Sequence, residues 1–390
     1  MKNFIHRSVT DQIIQLLNHF PAVAILGPRQ SGKSTLAKHL IKENPDIFYL
    51  DLEKISDRNR LSDPEMFFKL NKNKLICMDE IQKLPEIFSV LRSVIDENDK
   101  NSQFLILGSA SRDLIRQSSE TLAGRIIYVE LSPFMFSELE QTGATEENRL
   151  FKYWGRGGFP RSYLAEDEQL SFTWRQSFIN TFLERDIPQF GFNIPPETMM
   201  RLWKMCSHSQ GQVLNASRFG GSLGLSHTTV KKYLDLLKGT YMIRIIPPFY
   251  VNLKKRLVKS PKVYIRDTGI LHTLLNINTM DDLSGHPVFG SSWETMVIEN
   301  VLNRYSDWES GFFRTSNGIE IDLILEKGNR RIAIECKAST APKVTQGFYS
   351  ALEYLKIQEA WIIAPVDDTF PLKENVFVTS LPGFLNNSIK

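Results

Sequence analysis

The stretch that decides the fold lies near the start of the chain and reads Gly27-Pro28-Arg29-Gln30-Ser31-Gly32-Lys33-Ser34. An apolar run at residues 22–26 precedes it, and a segment of helical character at residues 35–41 follows it. A strand, a G-x-x-x-x-G-K-[ST] turn and a helix in that order surround the phosphates of a nucleotide with backbone N–H groups and a helix N-terminus. The stretch therefore predicts a P-loop.

The residue types of this loop suit phosphate binding. Gly27 and Gly32 permit close approach of the backbone, Lys33 brings a positive charge to the phosphates, and the Ser34 hydroxyl can bind Mg²⁺. We therefore predict ATP and Mg²⁺ as ligands. The predicted nucleotide-binding residues of the loop are Gly27, Arg29, Gln30, Ser31, Gly32, Lys33, Ser34 and Thr35.

Length and composition exclude several classes of protein. The chain has 390 residues, enough for two to four domains, and its 42% apolar and 23% charged residues are ordinary for a globular protein. A net charge of +3 means that any nucleic-acid surface must be local. The three cysteines match no zinc pattern, and no apolar run reaches the roughly 18 residues that span a bilayer. We expect a cytoplasmic protein with no membrane segment.

After the loop, short apolar runs alternate with amphipathic stretches, as in a parallel sheet with crossover helices. The runs lie at residues 47–52, 75–78, 104–107 and 126–131. The second run ends in Asp79 and Glu80, the layout of a Walker B element. Asp79 would hold Mg²⁺ and Glu80 would polarise the attacking water. The alternative is a strand that simply ends in solvated acids.

Further polar residues lie close to these strands. Ser109 follows the third run, at the carboxyl edge where ligands bind, and is a candidate sensor of the γ-phosphate, with Arg112 as a second candidate. Arg125 could neutralise charge in the transition state or form a structural salt bridge. If Arg125 or Arg112 acts in trans, a homo-oligomer is required.

These motifs, together with Leu122-Ala123-Gly124-Arg125 and Leu131-Ser132-Pro133-Phe134, resemble the prokaryotic AAA-type ATPases. The resemblance is to the group whose C-terminal half is a domain of unknown function, and it covers nearly the whole chain. In these ATPases and in related signal-transducing ATPases, a glycine-proline element on a helical lid contacts the nucleotide. Gly158 and Pro160 occupy the matching positions. An ordinary turn between helices is the alternative.

The middle of the chain has a helix-turn-helix pattern. Helical segments at residues 199–207, 214–219 and 226–237 precede strand-like runs at 241–246 and 249–253, which suggest a wing. A basic stripe, able to neutralise DNA phosphates, comprises Lys254, Lys255, Arg256, Lys259, Lys262 and Arg266. DNA contact and a role in packing or protein contact both stay open for this winged helix.

The last region contains a hairpin with acids and a lysine. Asp322 lies on the first strand and Glu335-x-Lys337 on the second, which is the spacing of the PD-(D/E)xK nucleases. In that chemistry two carboxylates bind one or two magnesium ions, and the lysine can orient water or stabilise charge. Glu294 on the preceding helix is a candidate third acid, and Gln346 resembles the glutamine motif of RecB-like members. A hairpin with solvated acids, or a nuclease fold that has lost activity, are the alternatives.

The predicted architecture is α/β: a P-loop parallel-sheet ATPase core (1–145), a helical lid (146–190), a winged helix-turn-helix domain (191–284) and an α/β nuclease-like domain (285–390). The predicted function is ATP hydrolysis that couples nucleotide state to a DNA-binding or nuclease-like C-terminal region. The alternative is a nucleotide-dependent switch with an inactive C-terminal scaffold that binds DNA or protein. A small-molecule kinase is disfavoured because Asp79 and Glu80 suit water activation.

Overall fold

A computed structural model describes residues 4–43, 46–109, 121–142, 145–249 and 258–387. The chain forms two compact units. The first comprises Met1–Phe134 with Gly239–Tyr241, and the second comprises Met135–Lys238 with Met242–Lys390. No helix among the described residues is long and apolar enough to cross a membrane.

The first unit is built on a five-stranded parallel sheet with the order β2-β3-β4-β1-β5. The strands are β1 (Ala22–Gly27), β2 (Ile47–Asp51), β3 (Leu75–Asp79), β4 (Phe104–Ser109) and β5 (Ile126–Glu130). The helices are α1 (Thr10–His19), α2 (Lys33–Glu43), α3 (Ile55–Arg60), α4 (Pro64–Leu70) and α5 (Ile87–Asn98). The parallel sheet predicted from the apolar runs is confirmed.

Helices cover both faces of this sheet, which explains why β1 is buried along its whole length. Because side chains alternate along a strand, Ala24 and Leu26 enter the core that contains α5, whereas Val23 and Ile25 enter the core that contains α1 and α2. Each fully buried aliphatic side chain contributes about 1.5–3 kcal/mol. The central strand that ends in the P-loop is thereby held firmly.

The second unit begins with helices. They are α6 (Glu146–Arg156), α7 (Pro160–Tyr163), α8 (Glu168–Thr181), α9 (Ile187–Gln189), α10 (Pro196–His208), α11 (Ala216–Leu223) and α12 (His227–Gly239). The helix α8 continues into a π-helical turn, Phe182–Asp186. Ser226 caps α12, since its Oγ accepts a hydrogen bond of 3.1 Å from Thr229 N.

Three short strands follow this helical part: β6 (Gln212–Val213), β7 (Ile243–Ile246) and β8 (Lys262–Ile265), paired antiparallel in the order β6-β8-β7. Among the described residues the partner of β7 is β8, while most of the run at residues 249–253, which the sequence suggested as part of a wing, lies outside them. Residues 250–257, which include Lys254, Lys255 and Arg256 of the basic stripe, lie outside the described residues.

The rest of the second unit contains a six-stranded mixed sheet in the order β13-β14-β12-β11-β10-β9. Its strands are β9 (Glu309–Arg314), β10 (Glu320–Lys327), β11 (Arg330–Cys336), β12 (Glu359–Ile363), β13 (Phe370–Lys373) and β14 (Val376–Thr379). The remaining helices are α13 (Thr268–Leu274), α14 (Met280–Ser284), α15 (Phe289–Arg304), α16 (Gln346–Leu355) and α17 (Leu381–Asn386). The sequence predicted the hairpin of β10 and β11, but not β13, β14 and α17.

Candidate functional site: a phosphate-binding loop and an acidic cluster

The P-loop lies between β1 and α2, at the carboxyl edge of the parallel sheet. A Cβ atom at Gly27 would lie 2.2 Å from the carbonyl oxygen of Leu131, so only glycine fits where the loop leaves the sheet. Gln30 and Gly32 have positive φ angles of 63° and 101°. Left-handed residues in a loop turn successive N–H groups toward a common point, which forms an anion-binding concavity.

The loop is closed by two basic residues. Lys33 Nζ donates to the carbonyl oxygens of Gly27 and Pro28, at 3.0 and 2.8 Å. Arg7 NH1 donates to Ser31 O at 2.9 Å, a support for the loop that no sequence pattern signalled. Burial lowers the pKa of Lys33 to about 8, although Glu80 and Asp79 oppose the shift. An anion at the loop would remove this penalty by pairing with the ammonium.

The other predicted loop residues differ in exposure. Ser31 is fully buried, and its Oγ has no hydrogen-bond partner among the described residues. A buried hydroxyl without a partner is costly, so it fits a loop that binds oxygen-rich ligands. Arg29 and Ser34 are half-buried, while Gln30 and Thr35 are exposed. The side chains thus offer both a buried donor and solvent-facing groups to a phosphate.

Asp79 ends β3 and is nearly completely buried. Tyr49 on the neighbouring strand β2 donates its hydroxyl to Asp79 Oδ2 at 2.6 Å, and Glu80 N donates to Oδ1 at 3.0 Å. Burial and the bond to Asp79 raise the pKa of Tyr49 above its usual value. The sequence analysis missed Tyr49. The sequence did contain a signal for this residue, namely a polar hydroxyl within the apolar run at residues 47–52. In the structure the parallel register places Tyr49 beside Cys77.

Glu80 has an unusual backbone conformation, with φ and ψ of 56° and 44°. A left-handed conformation is strained for a residue other than glycine, and such strain is typical of functional sites. Gln82 Nε2 donates to Glu80 Oε2 and holds the carboxylate in place. Burial and the neighbouring Asp79 raise the pKa of Glu80, whereas Lys33 and Arg29 lower it. The arrangement suits a proton acceptor next to the loop.

Ser109 and Arg125 lie at opposite edges of the sheet. Ser109 ends β4 beside Gly27, as predicted. Arg125 O accepts a hydrogen bond from Ala22 N at the other end of β1. Because β1 has six residues, its two ends lie about 16 Å apart. This separation disfavours action of Arg125 on phosphate bound in its own chain, and its catalytic role stays a prediction.

The guanidinium of Arg125 instead forms a bidentate salt bridge with Asp96, at 2.5 and 3.1 Å. This is the structural alternative that the sequence left open. Arg112, the second candidate, lies outside the described residues. A role of Arg125 in trans stays a prediction.

The glycine-proline element at Gly158 and Pro160 is held in place by the buried carboxylate of Asp267. Asp267 Oδ2 accepts from Gly158 N at 2.8 Å, and Oδ1 accepts from Ile270 N at the start of α13. Gly157 has a positive φ, and a Cβ there would lie 2.1 Å from Asp267 Oδ1. Pro160 is the first residue of α7. The contact of Gly158 and Pro160 with a nucleotide stays a prediction.

A cluster of acidic residues lies within the second unit. The β10–β11 hairpin pairs Leu323 with Ile334, which makes Asp322 and Glu335 cross-strand neighbours. Cys336 N donates to Asp322 Oδ2 at 3.0 Å, and Lys337 Nζ donates to Glu335 Oε1 at 2.6 Å. The three residues predicted to form a site on the hairpin, Asp322, Glu335 and Lys337, therefore lie close to one another.

Lys262 of β8 points into this cluster and is only 1% exposed. Its Nζ lies 2.6 Å from Glu320 Oε1, 3.3 Å from Glu294 Oε1 and 3.5 Å from Asp322 Oδ1. Burial lowers the pKa of Lys262, but the three carboxylates outweigh this effect and raise it above the usual value. Lys262 therefore does not belong to a surface stripe, which corrects the prediction.

Arg266 does not belong to the predicted basic stripe either, because its side chain pairs with a buried acid. Its Nε donates to the buried carboxylate of Glu299 at 3.1 Å, and Arg244 donates to the same carboxylate at 2.9 Å. Lys259 alone among the described members of the stripe has an exposed side chain. The basic surface that the sequence predicted around residues 259–266 is therefore reduced to one residue.

Two acids of the cluster, Glu294 and Glu335, have pKa values above the usual value of a glutamate. Burial and Asp322 raise the pKa of Glu294 to about 7 and that of Glu335 to about 8. Tyr264 OH donates to Glu294 Oε1 at 2.5 Å. Among the described residues, no group of three or more His, Cys, Asp and Glu side chains is arranged to hold a metal ion. The metal role of Glu294, Asp322 and Glu335 and the roles of Lys337 and Gln346 stay predictions.

Comparison with known protein families divides the chain in three. Residues 19–140 match a family described as "AAA domain". Residues 147–281 and residues 289–384 match two families that are each described as a domain of unknown function. The family at the N-terminus confirms an AAA-type P-loop core, as the loop predicted.

Several relatives match most of the chain. "Uncharacterized protein Rv2008c" of Mycobacterium tuberculosis and "Uncharacterized protein Mb2031c" of Mycobacterium bovis are each 38% identical over 370 residues, which is 95% of this chain and 82% of theirs. An "Uncharacterized protein" of Haemophilus influenzae is 25% identical over 83% of this chain and 84% of its own length.

Solved structures are more distant. A signal transduction ATPase with numerous domains from Pyrococcus horikoshii has 13% identity and a TM-score of 0.32, over 77% of this chain and 48% of that one. This chain thus spans about half the length of that ATPase. AMPPCP-bound DnaA from Aquifex aeolicus has 13% identity and a TM-score of 0.30, over 61% of this chain and 90% of DnaA.

Proposed function

Because this chain belongs to one family with its two mycobacterial relatives and its residues 19–140 match an AAA domain, we propose that it binds and hydrolyses ATP at the loop formed by residues 27–34. The single observation that best supports this proposal is the state of Lys33. Its ammonium is buried, its pKa is lowered, and it donates to neutral carbonyl oxygens. Such a group gains much from a phosphate partner, because bonds between two charged groups are stronger than those to a neutral acceptor.

The roles of the other residues follow from their places around the loop. The backbone N–H groups and the N-terminus of α2 bind the phosphates, and Ser34 and Asp79 would hold Mg²⁺. When bound, Mg²⁺ neutralises charge on the phosphate oxygens. The Tyr49 hydroxyl orients Asp79, while Glu80 orients a water molecule and accepts its proton. Ser109 at the end of β4 is the proposed sensor of the γ-phosphate.

Purified protein tests this proposal directly. We expect ATP turnover that requires Mg²⁺ and that Lys33→Ala abolishes, together with loss of nucleotide binding, because the charged donor to the phosphates is gone. Lys42→Ala, on the exposed face of α2, is the matched control and should behave as the wild type. Equal turnover in Lys33→Ala and Lys42→Ala would contradict the proposal.

For the second unit we propose that nucleotide state governs a scaffold that binds DNA or protein. The order of α10, β6, α11, α12, β7 and β8 fits a winged helix-turn-helix, and Lys231 and Lys232 on α12 are exposed. Salt-dependent DNA binding that Lys231→Glu and Lys232→Glu weaken would support DNA as the partner. DNA binding that neither substitution weakens would instead favour a protein as the partner of this unit.

A nuclease is the second candidate for this unit, because Asp322, Glu335 and Lys337 lie together on one hairpin. Incubation of DNA with protein, Mn²⁺ and ATP tests it. DNA cleavage that Glu335→Gln abolishes would establish the nuclease. If the wild-type protein cleaves no DNA, the binding scaffold is the better description of this unit. The Lys262 ammonium among the acids favours the scaffold.

A further inference from the structure

The acidic cluster of the second unit already contains a cation. Lys262 reaches it from β8, a strand of the three-stranded sheet, whereas Glu294 comes from α15 and Asp322 and Glu320 from β10. One ammonium with three hydrogens lies within 2.6–3.5 Å of one oxygen from each of these three carboxylates. Charges that are so deeply buried persist only when they are paired.

The position of the ammonium is the position that a metal ion would need. Carboxylates bind Mg²⁺ through oxygens at about 2.0–2.1 Å from the ion, so the ion must lie where those oxygens converge. Lys262 Nζ lies at that point for Glu294 and Asp322. A divalent ion placed beside a buried ammonium would meet strong repulsion at short distance.

The carboxylate oxygens are also occupied by other donors. Glu294 Oε1 accepts from Tyr264 OH as well as from Lys262, and Asp322 Oδ2 accepts from Cys336 N. Among the described residues, the buried carboxylate oxygen of this cluster without a partner is Glu335 Oε2. One buried oxygen without a partner is far fewer than the ligands of a magnesium site. The residues of the cluster as they stand therefore do not fit a divalent metal.

We infer that the Lys262 ammonium is the resident cation of the acidic cluster, and that the cluster binds no divalent metal while Lys262 is in place. The inference concerns only the second unit and does not depend on ATP hydrolysis by the first. It gives β8 a role beyond pairing with β6 and β7, because this strand supplies the charge that balances α15 and β10. Removal of that charge should convert the cluster into a divalent cation site.

The experiment compares Mn²⁺ binding in full-length protein without nucleotide, by calorimetry and by electron paramagnetic resonance. The variants are Asp322→Asn, Lys262→Met and the double variant Lys262→Met/Asp322→Asn. Methionine keeps an unbranched apolar stem close in length to that of lysine and removes the ammonium with its charge and its donors. Any Mn²⁺ held at the P-loop is common to all four proteins and cancels in the comparison.

We expect wild type and Asp322→Asn to bind the same amount of Mn²⁺. Lys262→Met should gain one further ion per chain, and the double variant should lose it. Saturating Mn²⁺ should raise the Tm of Lys262→Met by roughly 5 °C more than it raises the wild-type Tm.

Two results would overturn the inference. One is Mn²⁺ binding in the wild type that Asp322→Asn removes, and the other is a folded Lys262→Met protein that gains no ion. If circular dichroism shows that Lys262→Met does not fold, the comparison of wild type with Asp322→Asn still decides. Equal binding then supports the inference, and Asp322-dependent binding in the wild type contradicts it.

Discussion

The two units each contain a buried lysine near acidic residues, and the two lysines are in opposite electrostatic states. Lys33 is 7% exposed and donates to neutral carbonyl oxygens, and burial lowers its pKa to about 8. Lys262 is 1% exposed, lies among three carboxylates, and has a raised pKa. Among the described residues, the Lys33 ammonium therefore donates to no negatively charged acceptor, whereas the charge of the Lys262 ammonium is balanced by the carboxylates around it.

The difference shows how to distinguish a site that needs a ligand from a site that is already complete. Near Lys33, the buried Ser31 hydroxyl and the strained Glu80 add further costs that a bound nucleotide can offset. Near Lys262, hydrogen bonds from Tyr264 and Cys336 stabilise Glu294 and Asp322 within the chain itself. We therefore expect chemistry at the first lysine and balance of charge at the second.

The largest expected effect that tests this comparison is that of Glu80→Gln on ATP turnover. Loss of a general base lowers a rate by about 10²–10⁴-fold, while nucleotide binding should persist because Glu80 does not hold the phosphates. Phosphate release and binding of a fluorescent nucleotide measure the two quantities. Glu86→Gln, at an exposed position near the start of α5, is the control. Wild-type turnover in Glu80→Gln would show that the base is elsewhere.

The second prediction concerns pH and separates the two lysines. The folded, nucleotide-free pKa of Lys33 is about 8, below its usual value of 10.5, so the ammonium is present below pH 8 and is lost as the pH rises. Nucleotide affinity should therefore fall by up to about tenfold for each pH unit above 8. Lys262 keeps its proton over this range, because its pKa is raised.

Titration of ATP affinity between pH 7 and 9.5 measures this effect. Lys33→Arg provides the control, since arginine stays charged at every pH used and should give a flat profile. A fall in affinity of equal size in the arginine variant would assign the pH dependence to another group. A flat wild-type profile would remove the contrast between Lys33 and Lys262.

The third prediction concerns Tyr49→Phe and is smaller. Deletion of one hydroxyl that donates to the buried Asp79 carboxylate should lower the free energy of unfolding by about 1 kcal/mol, reduced because Tyr49 is only half-buried. Urea unfolding measures it. An unchanged stability in Tyr49→Phe would show that water replaces the hydroxyl.

Much of the first unit could be predicted from the sequence, because its signals are local. The five apolar runs are the five strands, and the P-loop and the Asp79-Glu80 pair lie at the carboxyl edge where parallel strands end together. Tyr49 and Arg7 could not be predicted in the same way. Their partners are fixed by strand order and by contacts between distant segments, which no periodicity shows.

The second unit was harder to predict for the same reason. Periodicity identified the hairpin of β10 and β11, but it gave Lys262 and Arg266 to a surface stripe. A lysine in sequence is most often exposed, and only the pairing of β8 between β6 and β7 turns Lys262 inward. The register of a strand decides which face each side chain occupies. That register depends on residues far away in the chain.

Arg125→Ala should have the smallest effect and sets the scale for the others. Arg125 and Asp96 form an exposed pair at the edge of the sheet opposite the P-loop, and such pairs contribute little because water and salt screen them. We expect ATP turnover within about twofold of the wild type in dilute protein. Turnover measured against protein concentration, together with sizing chromatography, extends this test to a neighbouring chain. A large loss that occurs only where the protein self-associates would show that Arg125 acts in trans. The same loss in a monomer would contradict the strand register that separates Arg125 from Gly27.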